Sequence, residues 1–197
     1  MQILEIKYLK NKVVLTCDNE KTYDFYIDIV VRERIHKEME IENEKFYKLL
    51  DESEMELCKN YLFEYACKYS NTTKGYTSKL YQKKYSSKSI KHAIDLAKRY
   101  GYIDDANYAK NYYEIYAKKR GKKRIIQELK AKGVSSEDLE FIEDKEDDIE
   151  AIQKYAEKYM KSKDKNSQNK QKLIKHLMYK GYDFDKIMQA VNFIYND

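Results

Sequence analysis

The sequence predicts a mainly α-helical protein with a small β-containing segment at its start. Its 197 residues include no proline and only five glycines, so few residues interrupt a helix. Beyond Ser53 the apolar residues recur at intervals of three and four, which is the spacing of one helix face. Three stretches about 48 residues apart also resemble one another, which indicates a repeated helical unit.

The first 26 residues have a different pattern, because short runs of β-branched and aromatic residues alternate with turn-forming residues. The runs are QILEIKYL, KVVLTC and KTYDFYI, and the separators are KNK and DNE. They predict three short antiparallel strands. Two short helices are predicted next, near Ile27–His36 and Asn43–Leu50.

Capping signals and apolar stripes predict the helices that follow. SEME, Ser53–Glu56, is a capping box, in which the serine and the glutamate each satisfy a free backbone N–H, so a helix is predicted to start there. SSED, Ser135–Asp138, is a second candidate with a shorter acid. The stripes, which we interpret as core, are Ile90, Ala93, Ile94 and Ala97; Tyr108, Ala109, Tyr112, Ile115 and Tyr116; Ile149, Ile152, Ala156 and Tyr159; Leu173 and Leu177; and Ile187, Val191 and Ile194.

The three similar stretches are LYQKKYSSKSI from Leu80, LKAKGVSSEDL from Leu129 and LMYKGYDFDKI from Leu177. Each indicates a helix, a tight turn and a new helix, and a further helix precedes each pair. We therefore predict three tandem three-helix modules of the helix-turn-helix kind, stacked in an elongated curved array. The predicted boundaries are an N-terminal extension at 1–52 and modules at 53–101, 102–146 and 147–197.

Three residues are predicted to shape helix ends. Gly133 and Gly181 each follow a lysine at the end of an amphipathic helix, where a left-handed residue commonly stops the helix. Lys84 occupies the matching place in the first module, so that turn has a costlier backbone or a different shape. Asp104 precedes an apolar helix and is predicted to cap it, with Asp105 in the first turn. Because these two carboxylates are adjacent, they point apart and do not suggest a chemical site.

The distribution of charge points to the centre of the chain. Residues 54–134 carry 19 basic and 8 acidic side chains, whereas both flanking segments are mildly acidic. The densest cluster is Lys118, Lys119, Arg120, Lys122, Lys123 and Arg124. Such a cluster indicates an edge that contacts an anionic partner, nucleic acid or an acidic protein surface; the alternative is a solvated junction between helices. The acidic run Glu137–Glu150 is interpreted as a solvated linker face or as a shield for the basic edge.

Several classes of function lack their sequence signals. The three histidines are far apart in the chain, with no histidine or cysteine at helical spacing from any of them, and no phosphate-binding glycine loop is present. We therefore expect no enzyme, no metal and no cofactor. No apolar run reaches the length of a membrane span, and the first residues, MQILEIKYLKNK, lack the features of a signal peptide. A cytoplasmic protein is expected.

The region RYGYIDDANYAKNYYEIYAKKRGKKRIIQELKAKGVSSEDL resembles the RecX family, bacterial regulators of the RecA recombinase. The residues that match the family signature are Gly101, Tyr102, Asp104, Asp105, Ala109, Arg120, Lys123, Arg124, Glu128, Leu129, Lys132 and Gly133. KLIKHLMYKGYDFDKI resembles the family's third repeat, with Gly181 at the turn. The resemblance covers residues 54–197, and the preceding segment resembles the extension of members from Gram-positive bacteria, although KEMEIEN replaces a usual glycine there.

This resemblance implies a non-enzymatic, monomeric modulator that binds the RecA filament on single-stranded DNA. It implies damped ATP hydrolysis and strand exchange in recombination, DNA repair and the SOS response. An alternative is a helix-turn-helix protein that reads duplex DNA, although the expected recognition helices are poor in base-reading residues. A plain structural scaffold is a third hypothesis.

Overall fold

The structure is a computed structural model that describes residues 1–196. The predicted fold class is confirmed, since these residues form ten α-helices and one small antiparallel sheet. The chain divides into two compact units, Met1–Ile103 and the part from Asp104 onward. Within the described part, no helix is both long enough and apolar enough to cross a bilayer.

The N-terminal segment forms the predicted sheet. Its strands are β1 (Ile3–Tyr8), β2 (Val13–Cys17) and β3 (Thr22–Phe25), paired in that order. Alternate side chains point to one face, as expected for half-buried strands, and five of them are fully buried: Ile3, Val13, Leu15, Cys17 and Phe25. This face packs on α1 (Ile27–Arg32), which ends earlier than predicted, and on Phe46 and Leu49 of the next helix.

The helix α2 (Asn43–Ala66) runs through the place where a new helix was predicted to start. The capping box at Ser53 is therefore wrong: Ser53 is fully buried in mid-helix, with no hydrogen-bond partner for its hydroxyl among the described atoms. The reason is that no glycine or proline interrupts the helix, and it is buried on both sides of Ser53. Phe46 and Leu49 lie in the sheet core, whereas Cys58 and Leu62 lie in the core of the first module. One helix thus belongs to both the sheet core and the first module, and the predicted boundary at residue 52 falls inside it.

Each three-helix group has its own apolar core. The groups are α2 with α3 (Thr73–Gln82) and α4 (Ser87–Arg99); α5 (Asp105–Tyr116), α6 (Lys122–Ala131) and α7 (Glu140–Glu143); and α8 (Ile149–Met160), α9 (Ser167–Tyr179) and α10 (Phe184–Asn196). A 3₁₀ turn at Glu137–Leu139 leads into the one-turn α7. Most predicted stripe residues are buried, but Ile115 is 62% exposed, because the tyrosines of α5 cover that core instead.

The three helix–turn–helix stretches share one turn geometry. The carbonyl groups of Leu80, Leu129 and Leu177 each accept a hydrogen bond from the backbone N–H five residues later. The residue just before that N–H has a positive φ in every case: 66° at Lys84, 86° at Gly133 and 85° at Gly181. Lys84 therefore adopts the left-handed conformation without the freedom of glycine.

Single substitutions at two of these turns should differ in their effect on stability. Gly133→Val places a β-branched residue at positive φ, so we expect a loss of roughly 1–2 kcal/mol or more. Lys84→Gly removes that strain but adds freedom to the unfolded chain, so the melting midpoint should stay or rise. Thermal melts followed by circular dichroism test both variants. Two neutral substitutions would contradict the alignment of these turns.

Asp104 lies directly before α5, and its Oδ1 accepts a hydrogen bond from the Asn107 backbone N–H at 2.9 Å. Asp104→Ala should lower the free energy of unfolding by about 0.5–2 kcal/mol, and Asp104→Ser should recover most of the loss. Chemical denaturation measures the stability, and partner binding is compared below the melting range. A large loss of binding with unchanged stability would assign Asp104 to the interface instead.

Candidate partner-binding surface

The six basic residues of the central cluster lie in the turn between α5 and α6 and in the first turn of α6. The structure divides them into two groups. Arg120, Lys122 and Arg124 are partly buried, whereas Lys118, Lys119 and Lys123 are exposed. The cluster is therefore both a junction between helices and a charged surface, which are the two alternatives that the sequence left open.

Two arginines of the cluster bind one carboxylate. Arg120 donates from Nη1 to Glu128 and to the Tyr112 hydroxyl oxygen, the latter at 3.0 Å. Arg124 donates from Nε to the other oxygen of Glu128, also at 3.0 Å. The Arg120 guanidinium also lies 4.2 Å from the centre of the Tyr116 ring. These contacts hold both arginines in the fold and cancel part of their charge.

The first two lysines of α6 pair with Asp183, which directly precedes α10. The Asp183 carboxylate lies 3.3 Å from Lys122 Nζ and 3.1 Å from Lys123 Nζ. Lys122 Nζ also donates to the backbone carbonyl groups of Glu143 and Lys145, at 3.2 and 3.1 Å. Lys122 therefore joins three segments, whereas 62% of the Lys123 side chain stays exposed.

Lys118 and Lys119 remain as the outward charges. Both are exposed, and no ion pair in the described part of the chain includes either ammonium group. They come five and four residues before Lys123, whose side chain is also exposed. An anionic partner would therefore meet three amines here, rather than the six charges that the sequence suggests.

Beside this cluster the backbones of two turns touch. The Gly121 N–H donates to the Lys180 carbonyl at 2.9 Å, and a Cβ at Gly121 would lie 2.2 Å from backbone atoms of Gly181 and Tyr182. A Cβ at Gly181 would lie 2.5 Å from the Arg124 backbone nitrogen. Glycine is thus required at both positions by close approach. The sequence showed the turn at Gly181 but not the role of Gly121.

A buried carboxylate completes this junction. Asp147 is only 8% exposed, and its two oxygens accept backbone N–H groups from Lys122 at 2.9 Å and from Asp183 at 2.7 Å. It thereby satisfies the free donor at the start of α6, where Gly121 has no side chain to do so. The sequence alone did not distinguish Asp147, because eight other acids lie with it in the run Glu137–Glu150. That run packs on the junction here and is not simply a solvated face.

The paired carboxylate Glu128 should make stability depend on pH. Burial raises the pKa of Glu128, but hydrogen bonds from Arg124, Tyr112 and Arg120 outweigh burial, so its pKa lies below the ordinary value. A lowered folded-state pKa contributes stability above the unfolded value of about 4.3, and this contribution is lost as the pH falls further. Glu128→Gln should therefore flatten stability against pH in the acid range.

Urea unfolding between neutral and acidic pH measures this effect. Glu157→Gln is a matched control, because Glu157 is exposed on α8 and is absent from the ion pairs of the described residues. Equal acid sensitivity of both variants and the unchanged protein would contradict the predicted role of Glu128.

The remaining predicted residues do not join this surface equally. Gly181 lies in the junction, whereas Asp104 and Gly133 shape the start of α5 and the end of α6. No group of three His, Cys, Asp or Glu side chains among the described residues is arranged to hold a metal ion. The arrangement is suited to binding an anionic surface beside a rigid turn-to-turn contact.

Comparison with known proteins identifies two of the three-helix groups. Sequence models described as the second and third three-helix domains of RecX match residues 104–140 and 146–191. A Regulatory protein RecX from Clostridium perfringens strain 13 is 31% identical over 183 residues, which cover 89% of this chain and 86% of that protein. The chain belongs to the RecX family.

Other RecX proteins extend the similarity to nearly the whole chain. The Regulatory protein RecX of Caldanaerobacter subterraneus subsp. tengcongensis is 31% identical, with 94% of this chain and 90% of that protein covered. A crystal structure of a regulatory protein RecX covers 100% of this chain and 98% of its own, with a TM-score of 0.71 at 18% identity. That structural likeness shows a shared RecX fold.

Proposed function

We propose that this RecX protein regulates the RecA recombinase by binding its filament on single-stranded DNA. The observation that carries the proposal is similarity over nearly the whole chain to proteins named Regulatory protein RecX. The action we propose is mainly inhibitory: damped ATP hydrolysis and strand exchange during recombination and repair in the cytoplasm. It requires no catalysis by this chain, because binding alone can block or release neighbouring recombinase protomers.

Tandem modules support this mode of action. Each three-helix group has its own core, so each can present a separate contact to a partner made of identical subunits. Weak contacts on one chain add strongly, because the first contact raises the effective concentration of the next. The outward amines of Lys118, Lys119 and Lys123 supply one such contact, to phosphate or to acidic side chains.

Duplex reading has weaker support as a function. A helix-turn-helix protein inserts its second helix of the motif into the major groove, where several polar side chains reach the bases. The corresponding helix of the second module is α7, which has one turn, carries Glu140 and Glu143, and follows an acidic 3₁₀ turn. This segment would meet the phosphates of a duplex with negative charge.

Filament length tests the proposal directly. RecA filaments are assembled on circular single-stranded DNA with ATP and imaged by electron microscopy, with and without this protein at a sub-stoichiometric ratio. We expect shorter filaments, because one bound molecule affects a cooperative array. Unchanged filaments at a one-to-one ratio would contradict the proposal.

A further inference from the structure

The first helix of each module has tyrosines at the same places. Tyr61, Tyr108 and Tyr155 lie 47 residues apart, and a second set follows four positions later: Tyr65, Tyr112 and Tyr159. Two residues four apart share one helix face, so each pair forms a short ladder of rings. We call these pairs the tyrosine ladders, and each is considered within its own module.

In the first module, lysines of α3 lie over the ladder on α2. The rings of Tyr61 and Tyr65 are 6.0 Å apart and within 12° of parallel. Lys83 Nζ lies 5.3 Å from the centre of the Tyr61 ring, and Lys79 Nζ lies 5.7 Å from that of Tyr65. Tyr69, one further turn along the chain and 57% exposed, extends the ladder with its ring 4.9 Å from Tyr65.

The second module repeats the arrangement on α5. The rings of Tyr108 and Tyr112 are 6.1 Å apart and 27° from parallel, and Lys132 Nζ lies within 6.0 Å of both ring centres. Tyr116 extends this ladder as Tyr69 extends the first, and the Arg120 guanidinium covers its ring. The repeated feature is therefore a row of rings with a cation over it.

The third module adds a histidine to the ladder. The His176 ring stacks with Tyr155 at 5.6 Å and with Tyr159 at 5.1 Å, and the Tyr155 hydroxyl lies 2.6 Å from His176 Nε2. Lys163 Nζ lies 3.5 Å from the centre of the Tyr159 ring, and Lys180 Nζ lies 4.6 Å from that of Tyr155. Burial and the two lysines lower the pKa of His176, which favours the neutral ring.

The lysines of the first and third ladders contact rings rather than carboxylates. Lys79, Lys83, Lys163 and Lys180 take part in no ion pair within the described part of the chain. A ring attracts a cation but does not neutralise it. Each of these ladders thus combines flat aromatic surface with positive charge that an anion can still use.

We propose that the tyrosine ladders bind single-stranded nucleic acid, with bases against the rings and phosphates against the lysines. Aromatic rings accept any base by stacking, and a nearby positive charge follows the backbone; together these are the usual components of sequence-tolerant single-strand binding. A duplex keeps its bases stacked on one another, so it cannot offer their faces to the rings. This contact concerns the nucleic acid itself and does not require the recombinase.

A purely structural role is the competing explanation, because the rings are partly buried against the module cores. The two explanations differ in what they require of the side chain. Packing needs apolar volume, which leucine supplies in part, whereas stacking needs a flat ring, which phenylalanine retains. The third ladder is the best place for the test, because its lysines lie nearest to the ring centres, at 3.5 and 4.6 Å.

The experiment compares two double variants of the full chain, Tyr155→Phe with Tyr159→Phe and Tyr155→Leu with Tyr159→Leu. Fluorescence anisotropy of a labelled oligothymidylate, without recombinase, measures binding. The phenylalanine variant should bind within a few-fold of the unchanged protein, and the leucine variant about tenfold or more weakly, since base stacking contributes strongly to such affinities. Tyr113→Leu is the matched control, because Tyr113 is also partly buried but packs against Phe141 outside the ladder.

Circular dichroism establishes that each variant is folded. If the leucine variant is not, Lys163→Gln with Lys180→Gln keeps the rings and should weaken binding with a less steep dependence on salt. No binding by the unchanged protein, equal binding by the leucine variant, or equal losses in both ring variants would overturn the proposal. The recombinase assays measure the proposed regulation of the filament independently of this binding experiment. Either proposal can therefore fail while the other is supported.

Discussion

Gly121→Ala is expected to lower the thermal melting midpoint strongly. The added Cβ would lie 2.2 Å from backbone atoms of Gly181 and Tyr182, and backbone cannot move aside as a flexible side chain can. Overpacking typically costs about 1–3 kcal/mol, and we expect the upper end or more here. For a chain of this size that is a decrease of roughly 10 °C.

Two further glycines provide matched controls for this prediction. Gly101 has a φ of 74° with open space at its Cβ, so Gly101→Ala should cost only the left-handed strain, roughly 1–2 kcal/mol. Gly181 combines a φ of 85° with a Cβ position 2.5 Å from the Arg124 backbone, so Gly181→Ala should be the most damaging. Calorimetry of all three variants gives the order. A Gly121→Ala midpoint equal to that of the unchanged protein would contradict the backbone contact.

Reversing the two outward charges should have the largest effect on partner binding. Lys118 and Lys119 are exposed and hold no structural contact with a carboxylate in the described residues, so Lys118→Glu with Lys119→Glu should leave folding intact. We expect binding to recombinase-coated single-stranded DNA to weaken about tenfold or more. If these lysines meet phosphate, the log–log salt slope should also fall by about 0.7 for each lost contact.

The control carries the same change of charge elsewhere. Lys7 and Lys37 are exposed, lie outside the cluster and are absent from the ion pairs of the described residues. Lys7→Glu with Lys37→Glu should therefore bind nearly as well as the unchanged protein. Equal losses in both double variants would assign the effect to net charge, and no loss in either would reduce the cluster to a helix junction.

Local patterns in the sequence were sufficient for much of the fold. Three alternating runs predicted the sheet, because the side chains of a half-buried strand alternate between two environments. The equivalent leucines at 80, 129 and 177 marked three helix ends that the structure forms with one hydrogen-bond pattern. These signals depend on a few neighbouring residues, which is why they can be read directly.

Features that depend on distant residues could not be read in the same way. The serine and glutamate at Ser53–Glu56 match a helix start, but α2 continues through them, and Ser53 is fully buried in mid-helix. The charges of Arg120 and Arg124 suggested a free basic edge. Glutamate is common in exposed helices, so nothing in the sequence marked Glu128 as the partner of both arginines. Asp147 and Gly121 act only through segments that the fold brings together, so no local pattern marks them.

The candidate surface was accordingly half predictable. Its position at residues 118–124 followed from charge density alone, whereas the distinction between paired and outward cations required side-chain geometry. Of the ladder tyrosines, the spacing led us to interpret Tyr108, Tyr112 and Tyr159 as core. Their rings do cover the cores, but lysines over them show a second environment that helical spacing cannot distinguish from burial.

The single-stranded-DNA-dependent ATPase of the recombinase tests the central claim most directly. The cognate RecA is assayed at saturating single-stranded DNA and ATP while this protein is titrated from sub-stoichiometric to equimolar amounts, with the Lys118→Glu, Lys119→Glu variant in parallel. Regulation by filament binding predicts a clear decrease in ATP hydrolysis well below one molecule per protomer, with a weaker decrease for the variant. An unchanged rate of hydrolysis at a one-to-one ratio would contradict it.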